Sequence, residues 1–156
     1  MLEQHGARLR HERSIEPIAI DGGSVQWLID RALGAEHLMA YRLTVEPDSM
    51  ASHVHVGSEE ALYVLEGSGE IRVEQSIHSV GGGQAVFVPD GDTHGYVNTG
   101  AAPLVVVGAM APPIQLDDIH PAMPPLAVQS ASRVSTDDHV HRHHSFRPSA
   151  IACPSA

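Results

Sequence analysis

Two histidines one residue apart, His53 and His55, precede a pair of acids, Glu59 and Glu60, in the stretch HVHVGSEEALYVLEG that runs to Gly67. In a β-strand, residues i and i+2 point to the same face, so both imidazoles of HVH can reach one ligand. The residues VGS can turn the chain, and the strand that returns through EEALYVLEG can bring an acid back beside them. Alternation then sends Glu60, Leu62 and Val64 one way and Glu59, Tyr63 and Leu65 the other. Two imidazoles and a carboxylate on one face form a nitrogen and oxygen set suited to a divalent transition metal. Taken alone, an HxH pair fits a solvated strand edge better than a metal site, so a third imidazole matters. His94 is a candidate for it, since it follows the turn PDGD and opens another strand.

The elements that must position these groups are short. From about Glu16 to Met110 the chain breaks into apolar or alternating runs, PIAI, SVQWLI, HLMAYRLTV, ALYVLEG, EIRVEQ, QAVFVP and PLVVVGAM, separated by glycine, proline and aspartate. Runs of this length and spacing predict an all-β sandwich or barrel. GSG at 67–69, GGG at 81–83 and PDGD at 89–92 are the expected turns. VQWLIDRAL, residues 25–33, is expected as strand followed by loop rather than helix. From Pro112 onward the chain is rich in Pro, Ser, Ala and His without a period, which predicts an irregular arm or tail. The expected organisation is an N-terminal extension over 1–15, a β-barrel over 16–111 and a C-terminal arm over 112–156.

Composition excludes several functions. With 156 residues the chain fits one domain. Nine Arg, no Lys and 19 acids give a formal charge of -10, which argues against a nucleic-acid partner. The absence of lysine excludes Schiff-base chemistry. One cysteine, Cys153, permits no internal disulfide. No apolar run approaches a membrane span or a signal core, so a soluble, cytoplasmic protein with no membrane partner is expected. Of 12 histidines, four crowd into DDHVHRHH as His139, His141, His143 and His144. That segment is read as a solvated polar tail, with a second metal site as its alternative.

The spacing of the candidate ligands resembles that of the cupins, a family of small double-stranded β-helix, or jelly-roll, barrels marked by two motifs. The first, G(X)5HXH(X)3-4E(X)6G, is matched by His53, His55, Glu60 and Gly67, with Pro47 where the opening glycine would stand. The second, G(X)5PXG(X)2H(X)3N, is matched in full by Gly83, Pro89, Gly91, His94 and Asn98. The resemblance covers roughly 16–110. It implies that His53, His55, Glu60 and His94 bind one divalent transition metal, of the series Fe, Mn, Ni, Cu, Zn and Co, and that Asn98 is a structural residue at the barrel end. It further implies a homodimer formed through strand exchange and apolar sheet faces, an exchange that the C-terminal arm would suit.

Leu62, Phe87, Tyr96, Val105 and Val107 are expected to face the barrel interior as core, with pocket wall as a subset. Tyr96 stands two residues past His94, points the same way, and can hydrogen-bond a substrate oxygen. Of Tyr41 and Arg42, one faces inward, and the sequence leaves open which. No separate organic cofactor is implied. The favoured function is a dioxygenase-type oxidoreductase in which a redox-active metal binds a small chelating substrate and couples it to dioxygen. Mainly apolar pocket positions, with few charges to hold a sugar phosphate, favour it. The alternatives are a non-redox isomerase, lyase or cyclase, with Glu60 or Tyr96 moving a proton, and a non-catalytic module that binds a metabolite or sugar through the metal.

Overall fold

Alternation along the strands sets the layout. In MAYRLTV, residues Met39, Tyr41, Leu43 and Val45 are buried while Ala40, Arg42 and Thr44 are only partly so, the period-two pattern of a sheet with one face on a core. The computed structural model describes residues 6–115 and 119–121. The strands are β1 (Ile18–Ile20), β2 (Gly23–Ile29), β3 (Met39–Val45), β4 (Met50–Val54), β5 (Glu59–Glu66) and β6 (Ser68–Val73). There follow β7 (Ser76–Gly81), β8 (Ala85–Val88), β9 (His94–Val97), β10 (Leu104–Ala111) and β11 (His120–Pro121). All pair antiparallel, in one sheet of order β1-β2-β3-β10-β5-β8 and a second of order β11-β4-β9-β6-β7. This is the all-β jelly-roll expected, with only two single 3-10 turns among the described residues.

The core between the sheets is aliphatic, with Leu62, Val64, Ile71, Val88, Leu104 and Val106 at 0–1 % exposure. Residues 25–33 form β2 and then one 3-10 turn, Arg31–Leu33, whose N-cap Asp30 accepts from Leu33 N at 2.9 Å. Residues 6–15 lie against β2. Arg10 grips both Asp30 oxygens at 3.1 Å and the Trp27 carbonyl at 3.1 Å, and Gln26 reaches the carbonyls of Glu12 and Ile15. The Arg10 guanidinium is also the main reason the Asp30 carboxyl sits below its usual range.

Three expected interior positions need correction. Phe87 is 58 % exposed, Val107 is half-buried on the outer face, and Val105, though buried, lies outside the core cluster. Cross-strand partners share a face, and Glu60 pairs with Val88 on one side and Met110 on the other. Because Glu60 points inward, the even positions of β8 and β10 do so too, which turns Phe87 and Val107 out. Leu62 and Tyr96 face inward as expected, each at 1 % exposure. Of the expected turns, Gly67 takes a left-handed conformation at φ +80°, but Ser68 and Gly69 already belong to β6. Strand β7 escapes sequence reading because SIHSVG has only two apolar residues.

Residues past the last long strand return to the barrel. Ile114 packs against the core, Ser58 Oγ donates to the Pro112 carbonyl at 2.7 Å, and His120–Pro121 pair with Val54 and His53. The segment His139–His144 and Cys153 lie outside the described residues.

Candidate metal centre

Strand register brings the first motif to the second. His53 on β4 is the cross-strand partner of His94 on β9, with ring centroids 4.3 Å apart, and His55 follows two positions along on the same face. Glu60 comes from the opposite sheet, so the cluster closes across the gap between the two layers. The loops are tied together as well: Asp90 Oδ1 accepts from Gly57 N at 2.6 Å and Ser58 N at 3.3 Å, joining the turn after His55 to the turn before His94. Glu59, the other acid of the pair, is exposed on the outer face.

His53, His55, Glu60 and His94 each offer one ligand atom, and these atoms all lie within 4.8 Å of one another. His55, Glu60 and His94 are essentially fully buried. Glu60 Oε2 lies 2.8 Å from His94 Nε2 and 3.5 Å from His55 Nε2, yet these three atoms and His55 Nδ1 are buried without a hydrogen bond of acceptable geometry. Buried polar atoms are rarely left so. Atoms that converge on one point rather than on each other are what a cation would satisfy, and the donor set of three imidazoles and one carboxylate suits a divalent transition ion. His94 is prepared for this role: Nδ1 lies 2.9 Å from the Asp92 carbonyl and can only donate there, which leaves the Nε2 lone pair facing the cluster.

Glu60 is divided between two tasks. Its Oε2 faces the histidines, while its Oε1 accepts a short hydrogen bond from the Tyr41 hydroxyl. Tyr41 in turn lies 2.9 Å from the Tyr96 hydroxyl, so a chain Tyr96–Tyr41–Glu60 runs into the cluster. Gly108, the β10 partner of Tyr41, makes room for this ring, because a Cβ there would meet ring atoms at 2.2–2.4 Å. The open question of parity on β3 is thereby answered: Tyr41 faces inward, while Arg42 turns away and bonds Thr44 Oγ1 at 2.8 Å. Sequence reading named Tyr41 only as one of two candidates for the inward position and gave it no place among the site residues. Its signal, an aromatic on an alternating strand, became readable only once the register was known.

Burial and neighbours set the titration. Burial pushes the Glu60 carboxyl up, but the neighbouring His55 and His94 imidazoles and the Tyr41 hydroxyl outweigh it and hold the group at about 2. Burial, reinforced by His94, lowers His53 to about 4. For His94 burial also acts downward, yet the Glu60 carboxylate prevails and raises it. Burial drives both tyrosine hydroxyls well above their ordinary value, so they keep their protons.

Beside the cluster lies a cavity of about 240 Å³. Its floor is Tyr41, His53 and Tyr96, and its walls are Val25, Trp27, Leu43 and Met110. Ile20 and Ile119 complete it, the latter from the segment that precedes β11. Trp27 stands edge-on to Tyr41, with centroids 5.8 Å apart and planes at 72°. Asn98 is not part of the site. It is buried, donates to the carbonyls of Val45 and Ala102 at 2.8 and 2.9 Å, and accepts from Gly100 N at 2.9 Å, pinning the β9–β10 connection.

Comparison with known proteins agrees with this architecture. An uncharacterized protein of Methanocaldococcus jannaschii is 26% identical over 103 residues, 65% of this chain and 82% of its own. The polyketide cyclase RemF from Streptomyces resistomycificus superposes with a TM-score of 0.60 at 24% identity, covering 74% of this chain and 85% of that one. An oxalate decarboxylase from Lactobacillus farciminis, in complex with formate, gives a TM-score of 0.61 at 25% identity over 67% of this chain and 33% of that one. Residues 41–110, from the inward Tyr41 to the inward Met110, match the family model described as Cupin domain. The stretch that carries His53, His55, Glu60 and His94 lies wholly within the match to this cupin family model, and its two-sheet architecture is similar to that of the solved structures above.

Proposed function

We propose that this protein is a metal-dependent enzyme of the dioxygenase type, acting on a small organic molecule held beside a metal centre of His53, His55, Glu60 and His94. The observation that carries the reading is the convergence of four ligand atoms, buried and mostly unpartnered, beside an apolar cavity. A divalent ion held there supplies Lewis acidity and, where it is redox-active, a route for electrons between an organic molecule and dioxygen. The residues of the chain do the rest. Asp92 fixes the His94 ring, Tyr41 restricts Glu60 to one free oxygen, and the aliphatic walls keep water from the reacting molecule. Tyr96, on the cavity floor, orients a substrate oxygen.

One observation favours a second, non-redox reading as isomerase, lyase or cyclase: the chain Tyr96–Tyr41–Glu60 is a path along which a proton can pass between cavity and carboxylate. The apolar lining of the cavity, with no arginine, aspartate or glutamate to hold a sugar phosphate, supports the oxidative reading ahead of it.

Metal determination on protein purified without a histidine tag or nickel resin tests both, together with oxygen-electrode traces over diketones, flavonols and hydroxylated aromatics. Bound iron, copper or nickel with oxygen uptake is the expected result. Zinc with a flat trace across the panel would shift the assignment to the non-redox reading, and no bound metal would remove both.

We further propose a cytoplasmic homodimer. The outer face of β5 and β8 exposes Tyr63, Leu65 and Phe87, at 47, 46 and 58 %, and a second copy covering them is expected in sedimentation equilibrium, with Phe87→Glu shifting the mass towards the monomer.

A further inference from the structure

The cavity discriminates by charge and, at its metal end, by the direction of its hydrogen bonds. No arginine, aspartate or glutamate is among its lining residues, and the nearest candidate cation by sequence, Arg42, faces the other side of β3. An ionised group placed against Val25, Leu43 and Met110 would lose its water and find no counterion. The cavity can therefore take charge only at its metal end.

At that end the donors are already spent. The Glu60 carboxylate can only accept, so the single proton of Tyr41 goes to Oε1. The Tyr41 oxygen then takes the proton of Tyr96, 2.9 Å away. What Tyr96 has left to offer is lone pairs, and a group that approaches it must bring its own hydrogen. Size gives a third limit. A dry apolar cavity of about 150 Å³ holds benzene, so one of about 240 Å³ holds a substituted single ring or two small fused rings.

We propose that the molecule recognised here is a hydroxylated, mainly apolar ring compound that presents its hydroxyl to Tyr96 and carries no ionised group at the opposite end. This rests on reading the cavity as the substrate pocket of the metal centre, and it specifies what that reading leaves open.

Trp27, the single tryptophan of the chain, lines the cavity and serves as an intrinsic fluorescent reporter. The full-length protein, both as purified and after EDTA treatment, is titrated with 4-ethylphenol, 4-ethylanisole and 4-hydroxyphenylacetate. These share a ring and differ in a donor hydroxyl and a remote carboxylate. In both preparations the expected order is 4-ethylphenol tighter than either of the others by about tenfold. Tyr96→Phe should bring 4-ethylphenol and 4-ethylanisole to within about twofold of each other. Should that variant fail to fold, Ile20→Arg, on an edge strand and 38 % exposed, should improve 4-hydroxyphenylacetate relative to 4-ethylphenol by about fivefold. Equal or tighter binding of the carboxylate or the ether by the unaltered protein would overturn the proposal, as would no fluorescence response to any probe. Failure of the metal reading looks different: no metal in the purified protein, with the probe order intact.

Discussion

The metal end and the walls of one cavity are built on opposite terms. Within a few ångströms, His53, His55, Glu60, His94, Tyr41 and Tyr96 bring six titratable side chains together, while Val25, Leu43 and Met110 next to them bring none. The walls are ordinary core that stops short of filling the barrel. The metal end is the reverse, a set of buried polar groups that the fold gathers without fully pairing them. Stability comes from the first region, and the second is tolerable only with a partner for its orphaned atoms.

The comparison can be broken most forcefully at His94. Replacement by alanine removes one of four ligand atoms at the most buried position, and metal content measured by plasma mass spectrometry should fall from one ion per chain to near none, an affinity loss on the order of 100-fold or more. Retention of a full equivalent would separate the cluster from metal binding. Tyr41→Phe keeps the ring and deletes only the donor to Oε1, so the fold should persist while affinity for cobalt, followed by its visible absorption, drops by about 10- to 100-fold.

The pH response of the metal-free protein sharpens the contrast further, because only the polar end titrates. His53 is lowered from 6.5 to about 4, so the unfolded chain binds its proton first and stability falls as pH drops from about 6.5 to 4. His94 is raised, so its contribution is present below 6.5 and is lost as pH rises through its folded value. Unfolding free energies from urea titrations in EDTA should therefore peak near pH 6.5 and fall by up to about 3 kcal/mol towards pH 4. A monotonic rise towards acid pH would contradict this.

Smaller effects are expected away from the ligands. Gly108→Ala places a Cβ 2.2 Å from the Tyr41 ring and should cost about 1–3 kcal/mol in denaturant unfolding, with a metal-affinity loss in the direction of Tyr41→Phe. Glu59→Gln, on the outer face one residue from Glu60, should change stability by no more than about 0.5 kcal/mol and leave metal content untouched.

Much of the candidate site was legible in the chain. The resemblance to the two motifs carried the cluster of His53, His55, Glu60 and His94; alternation put Glu59 and Glu60 on opposite faces, since within a single strand the period of two needs no outside information, and the motif spacing chose Glu60. The structural role that the resemblance implied for Asn98 agrees with its burial and its hydrogen bonds to Val45, Ala102 and Gly100. The misreadings have one cause. Phe87 and Val107 were placed inside because apolar residues on short, nearly continuous apolar runs carry no parity of their own.

What the sequence determined by itself, then, was the all-β class and the turns at Gly67, Gly83 and Gly91, while its resemblance to the two motifs named the four side chains with the chemistry for a metal. Tertiary structure alone decided that Tyr41 rather than Arg42 meets Glu60, that Gly108 clears the space for it, and that Ile119 reaches the cavity. The physical reason is register: a slip of one residue turns a strand inside out, and which slip is adopted depends on partners as distant in sequence as Tyr41 and Gly108.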